Sequence, residues 1–257
     1  MIRRCITFSA GTEDYYKDRI GELKDKYKGE RCFCVGNGPS LKSTPLHLLN
    51  NEYSFGLNNI SKIYPSTTWR PNFYVNVTVG ITDDGWAAAA KDAIKGAVSF
   101  VDYGALPYIL ESNSNSLEIP DSVYPIEVIK EIKWSRDITN GVCKYGSSML
   151  AVMQIAIYMG FNPLILVGCD VKWVPFDYAE DKDPNHFIDS YWGKLKIQGE
   201  HEVAVTPQMA QYYTDQAKSC HILAKHECDE MGVRVYNATV GGDLETYPRV
   251  DLLEALK

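Results

Sequence analysis

Apolar residues in this chain come mostly in short blocks closed by glycine, asparagine or proline. "RCFCVGNG" is one, an apolar run that turns at Gly36 into Asn37, Gly38, Pro39 and Ser40. Similar blocks are "YSFGLNN" (53–59), "PNFYVNV" (71–77), "AVSFVDY" (97–103), "NPLILVGCD" (162–170) and "VRVYNAT" (233–239). Their length and β-branched or aromatic content predict strands. The block ending at Asp170 is apolar on both sides, the mark of a central parallel strand.

Between these blocks the period changes. Tyr16, Ile20, Leu23 and Tyr27 recur at helical spacing between Thr12 and Gly29, and Gly29 suits the helix end. "TPLHLL" opens a short helix with Pro45 in its first turn. Ser147 to Met159 is apolar nearly all round and predicts a buried helix ended by Gly160. Thr206 is an N-cap for a long helix that begins at Pro207 and ends at Met231, before Gly232. Residues 108–135 give no clear element, because Asn113, Ser114, Asn115, Pro120 and Pro125 interrupt the apolar pieces. Residues 172–205 are long, aromatic and irregular, the length of a functional lid. Strands alternating with helices predict an α/β fold on a mainly parallel twisted sheet. The expectation is one α/β domain over 1–257, with a helical extension at 1–30 and a lid at 172–205.

Composition narrows the class. The chain has 257 residues, a formal net charge of -7 and 45% hydrophobic residues. An acidic chain lacks the basic face of a nucleic-acid binder, so no sequence-specific nucleic-acid binding is expected. No apolar run approaches the roughly 20 residues that span a bilayer. Seven cysteines without a CxxC pair are expected to be reduced, buried thiols of a cytoplasmic protein.

Ligands of parallel α/β sheets bind beyond the carboxyl ends of the strands. Those ends carry Gly36-Asn37-Gly38-Pro39-Ser40, Asn58-Asn59, Asn76 with Thr78, and Gly168 with Asp170. Asparagine is unfavourable in strands, and its amide both donates to phosphate or ribose and accepts from a sugar hydroxyl. Gly36 and Gly38 would let a phosphorylated ligand approach the backbone, or would simply make a tight strand-to-helix turn. The stretch is neither a Walker loop nor GxGxxG. Ser147 and Ser148, at a helix start, read as an anion site or as plain caps. Asp170 is the best acidic candidate, and His186 and His201 are loop histidines.

Taken together, "VGNGPSLK", "GLNN", "YVN" and a Gly-Ser-Ser helix running into "MGFNPLILVGCD" resemble the bacterial sialyltransferases of variant Rossmann-like, glycosyltransferase-A type fold. "HFIDSYWG" with the ending "VYNATVGGDLETYPRV" resembles the related 6-hydroxymethylpterin diphosphokinase-like family, which includes motility-associated flagellin glycosyltransferases and proteins of surface-polysaccharide clusters. The likeness spans roughly 31–250. It implies a metal-independent glycosyltransferase with no cofactor. The donor would be a nucleotide sugar, CMP-linked by preference, and the acceptor a glycan or protein hydroxyl. Asn37, Asn58, Asn76, Ser147 and Ser148 would line the donor site. Asp170 matches an acidic residue after the central strand, and Tyr178 a tyrosine on the leaving phosphate. An arginine before the family's Thr-Ser pair is replaced by Tyr145-Gly146, with Arg136 nearby but out of register.

Transfer to a hydroxyl needs a base of near-neutral pKa. His186 is the expected base, ahead of His201, Asp170 and Asp189, with Phe187, Tyr191 and Trp192 excluding water around it. Two other readings stay open. One is a hydroxymethylpterin diphosphokinase using ATP and Mg2+, with Asp170 on the metal. The other is a non-catalytic nucleotide-binding protein.

Overall fold

The structure, a computed structural model, describes residues 12–78, 84–110, 112–113, 116–177, 182–191 and 204–257. Seven strands form its central sheet: β1 (Cys32–Val35), β2 (Ser54–Leu57), β3 (Phe73–Asn76), β4 (Val98–Asp102), β5 (Val123–Ile126), β6 (Leu164–Val167) and β7 (Val235–Asn237). Their order is β7-β6-β1-β2-β3-β4-β5, and every pairing is parallel. The expected α/β, Rossmann-like fold is the observed one.

The strands are short and nearly continuous in apolar residues because both faces are covered. Cys34, Phe55, Val75, Phe100 and Leu166 face one core, under α1 (Thr12–Gly21), α4 (Ser148–Tyr158) and α5 (Pro207–Glu230). Phe33, Val35, Tyr74, Val101 and Val167 face the other, under α2 (Asp84–Ile94), the short α3 (Leu106–Ile109) and α6 (Leu252–Ala255). Thr206 caps α5 through the Met209 amide at 3.2 Å, Pro207 follows it, and Gly232 lies beyond the end at φ +69°. The six described cysteines are buried and free. Among the described residues, no helix is long and apolar enough to cross a membrane.

Two expectations change. The first helix stops at Gly21, and turns carry the chain to Gly29. Strand β5 lies in the segment whose turn residues hid it. It is an edge strand, which is where Pro125, lacking an N–H, is tolerated.

The topology sets the site. From β1 the chain steps outward through β2, β3, β4 and β5, then returns to β6 on the other side of β1. The connections from β1 and β6 therefore diverge, and a crevice opens at their carboxyl ends. Val35 is paired with Val167, so the loops after Gly36 and Gly168 leave the sheet side by side.

Candidate functional site

A cleft of about 360 Å³ sits at this switch point. Gly36, Asn37, Gly38, Asn58, Ser147, Ser148, Asp170 and His186 all line it. Residues far apart in the chain are thus brought to one wall, at the place the strand ends predicted. Tyr178, His201 and Trp192 lie outside the described residues.

The glycines serve the protein's own packing. The Gly36 amide donates to the Val167 carbonyl at 2.7 Å, and the Gly38 amide to the Gly168 carbonyl at 2.9 Å. A Cβ on Gly36 would fall 2.4 Å from the Gly168 oxygen, and one on Gly38 would fall 1.8 Å from Asp170 Oδ2. On the side where a Cβ would point, the β6 loop and the Asp170 carboxylate occupy the space, so the tight turn alone requires these glycines, which also line the cleft. Ser40 does not line the cleft. Its hydroxyl donates to Asp170 Oδ2 at 2.7 Å and its amide to Oδ1 at 3.2 Å. Burial pushes the Asp170 pKa up, while the two Ser40 bonds and the His186 charge pull it down.

The C-terminal signature supports the same turn. Thr239 Oγ1 accepts from the Cys169 amide at 3.0 Å, and the Asp243 amide donates to the Asp170 carbonyl at 2.7 Å. A Cβ on Gly242 would meet the Asp170 backbone at 2.7 Å. Val171 follows at φ +49°, a strained conformation for a β-branched residue, stored where the chain turns into the cleft.

The asparagines also have internal partners. Asn37 Nδ2 donates to the Leu57 carbonyl at 3.0 Å and to Tyr191 Oη at 2.9 Å. Both its side-chain protons are used within the protein, while its buried Oδ1 has no partner among the described residues, so toward the expected phosphate or sugar the side chain is placed to accept rather than donate. Asn58, at φ +49°, donates to Ser148 Oγ at 3.3 Å and accepts from Thr78 at 3.2 Å. Asn76 is fully buried, donates to Tyr74 Oη at 3.0 Å and stands outside the cleft lining, which corrects its assignment to the donor site. Ser147 accepts from the Met149 amide at 3.2 Å, so its hydroxyl is a cap.

Residues 182–191 are strapped to these strand ends. The Phe187 amide donates to the Asn37 carbonyl at 3.1 Å, and Asn59 Nδ2 to the Tyr191 carbonyl at 3.0 Å. Phe187 and Tyr191 are both buried in the core beneath; Tyr191 also lines the cleft, whereas Phe187 stands outside its lining, which corrects the expected role of Phe187 as a cover. Asp189 is exposed and bonded to Lys42 at 3.0 Å, away from the cleft lining.

His186 is held on two sides. Its Nδ1 is 2.5 Å from Asp183 Oδ2, and its ring stacks on Tyr191 at 3.7 Å between centroids and 5° between planes. Asp183 is only 3% exposed, and its other oxygen accepts from the Asn185 amide at 2.8 Å. A buried carboxylate on Nδ1 places the imidazole proton there and makes Nε2 the basic nitrogen.

Sequence reasoning missed Lys144, and it gave His221, on the long helix, only a structural reading. Lys144 lines the cleft with its ammonium 2.5 Å from the Val77 carbonyl. Burial lowers its pKa, and the nearby Asp102 charge partly restores it. It directly precedes Tyr145-Gly146. Arg136 is at the surface, paired with Glu227 and Glu230. No periodic or motif signal marks Lys144. Its place depends on how the 141–147 turn meets the end of β3.

No family model and no curated protein matches this chain. Among the described residues, no three His, Cys, Asp or Glu side chains are grouped to hold a metal.

Proposed function

We propose that the protein is a metal-independent glycosyltransferase that moves a nonulosonic acid from its CMP conjugate to an acceptor hydroxyl. The observation that carries this reading is the Asp183-oriented imidazole of His186 in the wall of the switch-point cleft. An oriented neutral imidazole is the group that such a transfer requires as base. The resemblance of "VGNGPSLK" and "NATVGG" to nucleotide-sugar enzymes supports the choice of donor.

In this reading Nε2 of His186 takes the acceptor hydroxyl proton as the oxygen attacks the anomeric carbon. The bond from that carbon to the phosphate oxygen breaks, and CMP leaves with the bonding pair. Negative charge then grows on the phosphate. Lys144 and the positive dipole end of α4 supply positive charge on the cleft wall to meet it. Asp170 is a positioning residue that locks the β1 loop to the β6 loop through Ser40.

Calorimetric titration with CMP-N-acetylneuraminate, CMP, cytidine, UDP, GDP and ATP, each with and without Mg2+, tests the reading. The CMP ligands are expected to bind without magnesium. Lys144→Met is expected to weaken CMP about tenfold and leave cytidine unchanged, the loss of one charge-assisted contact. A response confined to ATP with magnesium would replace the reading with phosphoryl transfer, and no response to either CMP ligand would remove it.

A further inference from the structure

His221 on α5 lies at the inner wall of the cleft, only 1% exposed, and none of the roles above uses it. Its Nδ1 is 3.1 Å from Tyr247 Oη, and that hydroxyl donates to the His221 carbonyl at 3.2 Å. With the tyrosine proton on the carbonyl, the imidazole donates from Nδ1, and Nε2 presents a lone pair. Burial lowers the His221 pKa to about 4, so the ring stays neutral at physiological pH. Nε2 is shielded from solvent and has no hydrogen-bond partner among the described residues.

A buried acceptor left unpaired is costly, and one that belongs to a residue lining a cleft can be paired by a bound molecule. Ala217, one helical turn before His221, also lines the cleft, as do Gly146 and Cys169. All three are small and make no strong hydrogen bond through a side chain, which leaves the His221 ring as the polar side chain among these four lining residues. We infer that His221 is a specificity-determining residue whose Nε2 accepts a hydrogen bond from a neutral donor group, a hydroxyl or amide N–H, of the bound molecule. The inference rests on the proposed glycosyltransferase reading and adds to it. The anionic part of the donor belongs at Lys144, and a hydroxyl- or amide-bearing part belongs at His221. The arrangement selects against an analogue that lacks that group, because the acceptor would then stay unpaired.

Two isosteric substitutions separate this role from a structural one. His221→Asn keeps a donor near the Nδ1 position for Tyr247 and removes Nε2, whereas His221→Gln keeps a polar atom near Nε2. With CMP-N-acetylneuraminate as the probe, His221→Asn is expected to bind about tenfold or more weakly, and His221→Gln to keep most of the wild-type affinity. A parallel titration with CMP locates the group: a loss with both ligands puts it on the nucleotide, and a loss with the full donor alone puts it on the sugar. His221→Asn binding as tightly as wild type would overturn the inference and leave the functional reading standing. Wild type binding neither ligand would overturn both. A second measurement avoids any question of folding. In wild type, the His221 Nε2 nitrogen resonance is expected to move upfield when the donor saturates the protein. An unchanged resonance at saturation would overturn the inference.

Discussion

At the scale of the residue, the cleft is organised by pairs. His186 gains its orientation from Asp183, and Asp170 gains its place from Ser40. If His186 is the base, His186→Ala should lower turnover by about 10²–10⁴-fold with little change in donor affinity. Asp183→Asn should also lower turnover, since an amide at that place no longer fixes the Nδ1–H tautomer or stabilises the imidazolium. The split between turnover and binding distinguishes orientation from mere support: kcat should fall in Asp183→Asn while the donor Kd stays near that of wild type. His186→Ala retaining most turnover on a verified donor–acceptor pair would exclude it as the base. His186 was legible from its setting in "NHFIDSYW", but its carboxylate was not. Aspartates are common in that loop, and only the turn closed by Asn185 and Asp183 selects one of them.

At the scale of the element, the strand-to-helix turn after β1 behaves as a clasp. Gly38 sits at φ -67°, which any residue adopts, so its need for glycine is steric. Gly38→Ala would drive a methyl into the Asp170 carboxylate at 1.8 Å and the Gly168 carbonyl at 2.8 Å. It should cost about 1–3 kcal/mol, the range for overpacking a tight site. Gly21→Ala is the internal control. Its Cβ meets nothing within 4 Å, and the position lies in α1. That substitution should be neutral or stabilising by up to about 1 kcal/mol. Urea unfolding of the two variants measures the contrast, and equal stabilities would remove the clasp. The opening run "CFCVGNGPSLK" thus announced a special turn, while its purpose depended on a loop about 130 residues later. A glycine near a strand end reads the same whether a ligand or another loop lies against it.

At the scale of the molecule, pH reports on the buried histidine. The His221 pKa is about 4 in the fold against 6.5 in the open chain. Above 6.5 both states hold the ring neutral, and its burial costs nothing in protonation. As pH falls below 6.5 the unfolded chain takes up a proton that the folded chain refuses, and stability drops until about pH 4. At roughly 1.36 kcal/mol per unit across that window, His221 should account for about 3 kcal/mol of lost stability. The difference between wild type and His221→Asn isolates it from other titrating groups. Unfolding free energies measured from pH 7 to pH 4 should fall more steeply in wild type. Parallel slopes would mean that the ring takes its proton inside the fold.

The amino-acid pattern by itself determined the class of fold. Short two-sided apolar strands alternating with helices can bury both faces only as a parallel sheet between helical layers. It also determined where a site must open, since glycine, asparagine and aspartate gather at the strand ends. Edge strand β5 escaped because Pro125 and its neighbours carry the local signals of a turn, and only pairing with β4 made them a strand. The tertiary structure alone decided who holds whom: Asn37 on Tyr191, Ser40 on Asp170, Asp183 on His186, and His221 with no partner for Nε2 among the described residues. The physical reason is that each hydrogen bond depends on side-chain positions to within tenths of an ångström. Local pattern sets which face a residue takes, whereas those distances follow from the packing of loops that are distant in the chain.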